Sequence, residues 1–235
     1  DASSTGIGTI DSAGSFNNDS GFSIVSYTGS GSNATIKHGL STAPSMIILK
    51  NISASEHWMV GTTALGFTKN LVLSLTNAVA TDGSVWNNTA PTSSVFSVGN
   101  SGAVNTSNQN YIAYCFAEKQ GYSKFGSYVG NGNANGVFVY LGFKPAFVMI
   151  KSSSNSGQAW VMQDNKRDGF NYNNHRLFAN SSGAEESTVR MDLLSNGFKC
   201  RDNDGNGNGF TYIYMALASN PFVATSGSDA IPVTA

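Results

Sequence analysis

Short runs in which apolar and polar residues alternate recur along the chain: Phe22 to Tyr27, Ser45 to Lys50, His57 to Gly61, Leu71 to Leu75, Val95 to Val98 and Tyr111 to Ala117. Each is rich in Ile, Val, Phe or Tyr and is bounded by Gly, Ser, Asn or Pro, which is the period and punctuation of β-strands. Helical spacing is weak throughout. Its best stretch, Ala184 to Leu194 with Glu185, Glu186 and Arg190, runs at once into Ser195-Asn196-Gly197. Without helices to cover them, strands of this kind must bury their apolar faces against one another, so the pattern predicts an all-β chain of sandwiches.

Shifted against itself by 101 residues, the chain matches itself. Tyr27-Thr28-Gly29-Ser30-Gly31-Ser32 falls on Tyr128-Val129-Gly130-Asn131-Gly132-Asn133, and Pro44 falls on Pro145. Met46-Ile47-Ile48-Leu49-Lys50 falls on Phe147-Val148-Met149-Ile150-Lys151 without a gap, and Tyr111-Ile112 meets Tyr212-Ile213. One inserted residue brings Trp58 to Trp160 and Phe96 to Phe198. A one-residue slip would turn a strand's side chains to the wrong face, so a match across strands and turns implies shared strand order and core positions. The expected organisation is an arm or connection at 1–20, a first unit at 21–118, a second at 122–222 and a tail at 223–235. The two units are read as tandem antiparallel β-sandwiches, jelly-roll-like and related by internal duplication.

Composition narrows the function classes. Hydrophobic residues make up 40% of the 235, enough for a core, while charged residues are only 11% and the net charge is −1. Lys and Arg are scattered, so no basic stripe points to nucleic acid. No run near 18 apolar residues and no charged-then-apolar leader occurs, so neither membrane insertion nor a signal peptide is expected. A surface of hydroxyls and amides suits an extracellular or particle-bound protein, because uncharged polar groups are not screened by salt. Cys115 and Cys200 sit in strand-like runs and read as buried free thiols.

Two features carry candidate chemistry. Asp202-Asn203-Asp204-Gly205-Asn206-Gly207 has oxygen-bearing residues at alternate positions and a turn glycine, the first half of a calcium loop. Asp202, Asp204 and Asn206 would be the ligands, but Ile213 stands where the bidentate acid belongs. Asp, Asn and Gly equally build hairpin loops, so no cofactor is expected and calcium is the alternative. Trp58 and Trp160 are paired by the internal match and read as core. Trp86, in the polar segment Asp82 to Thr89, is the candidate platform for a sugar ring, with an indole capping one end of the sandwich as the alternative.

Catalytic material is thin. A triad would draw on His38, His57 or His175, yet no Gly-x-Ser-x-Gly elbow occurs. Glycosidases need two facing carboxylates, whereas Glu185 and Glu186 are chain neighbours that point apart in a strand. The dense group Asp164 to Asp168 reads as a solvated loop. A non-enzymatic protein is expected.

Several stretches resemble one family. Gly21-Phe22-Ser23-Ile24-Val25-Ser26-Tyr27-Thr28-Gly29, Asn110 to Glu118, Gly121 to Tyr128, Asp192 to Lys199 and Tyr212 to Ala216 look like a tandem-repeat family of tailed-bacteriophage virion proteins. That family is found especially in marine phages, at the end of fibre-like proteins and beside concanavalin-like lectin domains. The resemblance covers nearly the whole chain after residue 20. It implies a structural or adhesive component of the virion surface, such as a tail fibre, head fibre or decoration protein, assembled in the host cytoplasm. It brings no catalytic residues and treats Asp202 to Asn208 as a variable loop. Ile231 to Ala235 resembles the natural end of such proteins. Implied partners are other virion proteins, a host-surface glycan or protein, and further copies of the chain, a trimer in the case of a fibre. A purely architectural decoration protein is the alternative, and a polysaccharide-degrading enzyme is a distant third.

Overall fold

The computed structural model describes residues 2–187 and 191–220. These form an all-β protein of antiparallel sheets in two compact units. The first unit runs to Ser74 and resumes from Val79 to Glu118. Leu75–Ala78 and the described residues from Lys119 onward make up the second.

In the first unit a helical turn α1 (Ala2–Thr5) precedes β1 (Ser12–Asn17), β2 (Phe22–Thr28), β3 (Ala34–Lys37), β4 (Met46–Asn51), β5 (Met59–Thr62), β6 (Lys69–Val72) and β7 (Ala80–Thr81). Then come α2 (Gly83–Trp86), β8 (Val95–Val98), α3 (Gly102–Asn105) and β9 (Asn110–Phe116). One sheet has the order β1-β2-β9-β4-β5-β6-β7 and the other is the pair β3-β8. Alternation decides which side chains enter the core: Val25 and Tyr27 of β2 are buried while Ser26 and Thr28 are exposed. Val25, Tyr27, Ile47 and Leu49 from the large sheet pack with Ile36, Phe96 and Val98 from the small one. Within residues 1–20, read from sequence as an arm or connection, Ser12–Asn17 forms the edge of the large sheet and Ile10 bridges to Ile36.

The second unit holds β10 (Ser123–Val129), β11 (Phe138–Tyr140), β12 (Pro145–Ser152), β13 (Val161–Asp164), β14 (Leu177–Phe178), β15 (Met191–Leu194), β16 (Gly197–Cys200) and β17 (Thr211–Ala218). Its sheets are β10-β17-β12-β13-β14 and β11-β16-β15. Tyr128, Val148, Ile150, Tyr212 and Tyr214 meet Val139, Leu193 and Phe198 in the core. Ala184 to Leu194, the best helical stretch in the sequence, forms no helix among its described residues. Glu186 bridges to Arg176 and Met191–Leu194 is a strand, because Met191 and Leu193 alternate into the core with period two. Arg190, and the tail expected at 223–235, lie outside the described residues.

Contacts recur between the units 101 positions apart. Tyr27 and Tyr111 stack with ring centroids 5.1 Å apart, and Tyr128 and Tyr212 do so at 5.2 Å. The Tyr27 hydroxyl donates to the Val104 carbonyl at 2.6 Å, and the Tyr128 hydroxyl to that of Gly205 at 2.6 Å. Asn105 Oδ1 accepts from the Ser30 amide and Asn206 Oδ1 from the Asn131 amide, at 2.8 and 3.1 Å.

Buried ionisable groups set how stability responds to pH. Cys115 and Cys200 are free and buried, and burial pushes their thiols up to about 12 and about 11. Lys151 is fully buried and desolvation pushes it down from 10.5 to about 8, with Nζ donating to the Ser152 and Thr76 carbonyls. Above pH 8 the unfolded chain holds the lysine proton that the native state has lost, so stability rises with pH. Above about pH 9 unfolded thiols ionise while native ones stay neutral, which removes stability, and two thiols outweigh one lysine. Urea unfolding is therefore expected to show a shallow maximum near about pH 9, with a rise of less than about 1 kcal/mol from neutrality and a steeper fall above about pH 10. Lys151→Met should lose the rise and keep the fall; a rise that persists would contradict the assignment.

Candidate functional site

Neither group singled out from sequence builds a site. Trp86 is fully buried. The Asp82 side chain accepts from the Ser84 amide at 2.9 Å and caps α2, which turns Val85 and Trp86 inward, where the indole meets Phe67 edge-on at 5.6 Å. The sugar-platform reading of Trp86 is thereby corrected: the polar residues around it cap a helical turn and do not surround an exposed ring. Trp160 is buried too, whereas Trp58 is half-buried and stacks on Tyr114 at 6.3 Å.

The proposed metal ligands are occupied otherwise. Asn206 is buried, its Nδ2 donating to Asn131 Oδ1 at 2.7 Å and the Asn133 carbonyl at 2.9 Å. Asp204 Oδ2 accepts from Arg176 Nη1 at 2.6 Å, which places a guanidinium beside that carboxylate. Asp202 Oδ1 accepts from the Asp204 amide in a local turn. Asp202, Asp204 and Asn206 thus do not converge, and no group of three metal-ligating side chains occurs among the described residues. Asn206 is instead the counterpart of the buried Asn105.

A different surface collects chemistry. In the three-stranded sheet of the second unit, Val139, Phe198 and Leu193 point inward, so Phe138, Lys199 and Asp192 share the outer face in one transverse row. Tyr140, Gly197 and Leu194 form the row beside it. Beyond β15 the chain pairs once more: Asn173 bridges to Met191 and Asn171 bonds both the amide and the carbonyl of Leu193. The row is therefore Phe138–Lys199–Asp192, and exposed Tyr172 stands next to the Asn173 bridge, on the far side of β15 from Phe138. With strands about 4.8 Å apart, the row from Phe138 to Asp192 spans roughly 10 Å. Phe138 is 42% exposed, Tyr172 52% and Tyr140 61%. Gly197 leaves room for the Phe138 ring, whose atoms lie 3.0 Å from where a Cβ would stand.

Charges arrange this face. Asp192 is buried and its carboxylate is taken by Arg201, with Nε at 2.5 Å from Oδ2. Lys124 lies over the Tyr140 ring, 5.4 Å from the centroid. The loop that delivers Tyr172 is closed by Asp168, which accepts from the Asn174 and His175 amides and from the His175 ring. Burial works to raise the Asp168 carboxyl, and those hydrogen bonds outweigh it and hold it below its ordinary value. Arg167 joins Asp164 to Glu185, and Arg176 joins Glu186 to Asp204, so the two adjacent glutamates serve separate arginines.

A period-two pattern would have flagged Phe138 and Tyr140 as outward aromatics, but the segment before them, Asn131-Gly132-Asn133-Ala134-Asn135-Gly136, reads as loop. Asp192, Lys199 and Tyr172 join them only through register. If Trp86 is core, Trp86→Ala should destabilise the protein by about 3–5 kcal/mol in denaturant unfolding. A loss under about 1 kcal/mol would show that the ring is dispensable to the core.

Comparison with known proteins gives a single answer. The model of the domain of unknown function DUF7483 matches residues 1–221 and so runs through both units. No curated protein and no solved structure matches the chain. With nearly its whole length inside one family model, the chain belongs to the DUF7483 family of domains.

Proposed function

We propose that this chain is a non-enzymatic structural and adhesive protein of a tailed-bacteriophage virion surface, built from two sandwich units of common origin, and that it binds host-surface glycan. The virion setting is supported by the resemblance of Gly21 to Gly29, Asn110 to Glu118 and Gly121 to Tyr128, and by a surface poor in charge. The observation that carries the adhesive role is the row Phe138–Lys199–Asp192 with exposed Tyr172 beside it. It has the exposed Phe138 and Tyr172 rings for the apolar faces of sugars and the Lys199 ammonium between them for substituents. A rigid sheet presents the row, and rigid presentation limits the entropy lost on binding. Other virion proteins and further copies of the chain would be its structural partners.

The test is binding of the intact chain to an array of bacterial surface glycans. Binding is expected, weakened at least tenfold by Phe138→Ala and by Tyr172→Ala while the melting temperature holds. An array that stays blank would sink the adhesive role and leave a purely architectural decoration protein.

A further inference from the structure

We infer that the saccharide taken by the outer face of β11, β16 and β15 is acidic, a polymer bearing carboxylates on its sugar rings. The inference rests on the adhesive reading and adds the ligand class.

It comes from counting donors against acceptors. A neutral sugar offers hydroxyls, each both donor and acceptor, and sites that hold one supply carboxylates or amide oxygens as well as N–H groups. This face is one-sided. Asp192 is the only carboxylate in the row, and its side chain is 7% exposed and engaged by Arg201. It therefore has little left to offer a hydroxyl. Lys199, beside it in the row, forms no ion pair among the described residues. Arg201 turns a 39% exposed guanidinium to the same side as Asp192, and Lys124 sits over Tyr140 at the neighbouring edge. Asp202, next to Arg201, is the nearest other acid in sequence. Two cations without an ion pair among the described residues, Lys199 and Lys124, and the outer side of the paired Arg201 thus stand around exposed aromatic rings on a protein whose net charge is −1. Such a surface matches a ligand of acceptors, and ammonium or guanidinium to carboxylate is the stronger class of hydrogen bond.

The first unit supplies the contrast. Ile36 opposite Phe96 answers Val139 opposite Phe198, so Thr35 and Lys37 stand where the second unit has Phe138 and Tyr140. There the edge of β3 is covered by the chain's own start: the Thr9 amide donates to the Thr35 carbonyl at 2.8 Å and the Ser12 hydroxyl to that of Lys37 at 3.0 Å. Aromatic rings and the cation cluster occur together only in the second unit's version of this sheet, among the described residues.

The experiment compares binding of the full chain to polygalacturonate and to the same polymer after reduction of its carboxyl groups, with dextran sulfate as a general polyanion. Polygalacturonate is expected to bind at least tenfold more tightly than its reduced form. Lys199→Gln and, independently, Lys124→Gln should each cut the acidic affinity about threefold to fivefold and leave the reduced polymer unaffected, while Phe138→Ala weakens both. Lys37→Gln in the first unit should change nothing. Equal affinity for the two polymers would overturn the acidic preference and leave glycan binding standing; binding to neither would overturn both. Binding that falls with Lys199→Gln but not with Phe138→Ala, and is matched by dextran sulfate, would overturn the proposal in favour of nonspecific charge attraction.

Discussion

In each unit a long connection returns over one end of the sandwich before the last strand and buries two of its residues, Val104-Asn105 in the first unit and Gly205-Asn206 in the second. Buried amides and carbonyls must find partners or the fold loses the full desolvation cost of each. One asparagine does this in each unit. Asn105 accepts from the Ser30 amide and donates to the carbonyls of Ser32 and Gly99, and Asn206 occupies the same position over Asn131 and Asn133. The stacked tyrosines close the arrangement, one donating into the returning loop and the other accepting from it at Thr106 or Gly207. Gly29 and Gly130 are dictated by the same geometry, since a Cβ at either would stand 2.3 Å from a carbonyl oxygen of that loop. Strand pairing, core and outer face depend on this end of the sandwich staying shut.

The alternation of apolar residues placed most strands and the all-β class, because period two is a property of the chain and survives folding. Elements whose cause is a single side chain were less legible. The segment around Trp86 looks like a polar loop until Asp82 is seen capping a helical turn that drives the indole inward. The loop from Asp202 to Gly207 has the spacing of a cation site, yet Arg176 and the buried amide cluster take the groups that spacing advertises. Asn206 was read as a ligand, whereas in the structure it repeats, 101 residues on, the hydrogen bonds of Asn105.

The face proposed to bind was illegible for a different reason. Phe138, Lys199, Asp192 and Tyr172 come from four segments, and only the registers Phe138 to Lys199, Lys199 to Asp192 and Asn173 to Met191 make them neighbours. The two units also close their sides differently. The first uses its own residues Thr9 to Ser12 as a strap along β3, while the second has Lys124 over Tyr140 at the β11 edge. A charged edge of that kind discourages strand addition.

The claim that one buried amide holds each returning loop is tested most directly by native-state hydrogen exchange on Asn105→Ala and Asn206→Ala. Each variant is expected to lose about 3 kcal/mol of protection at the amide its asparagine side chain accepts from, Ser30 in one case and Asn131 in the other. Protection unchanged within about 0.5 kcal/mol in either variant would contradict the account.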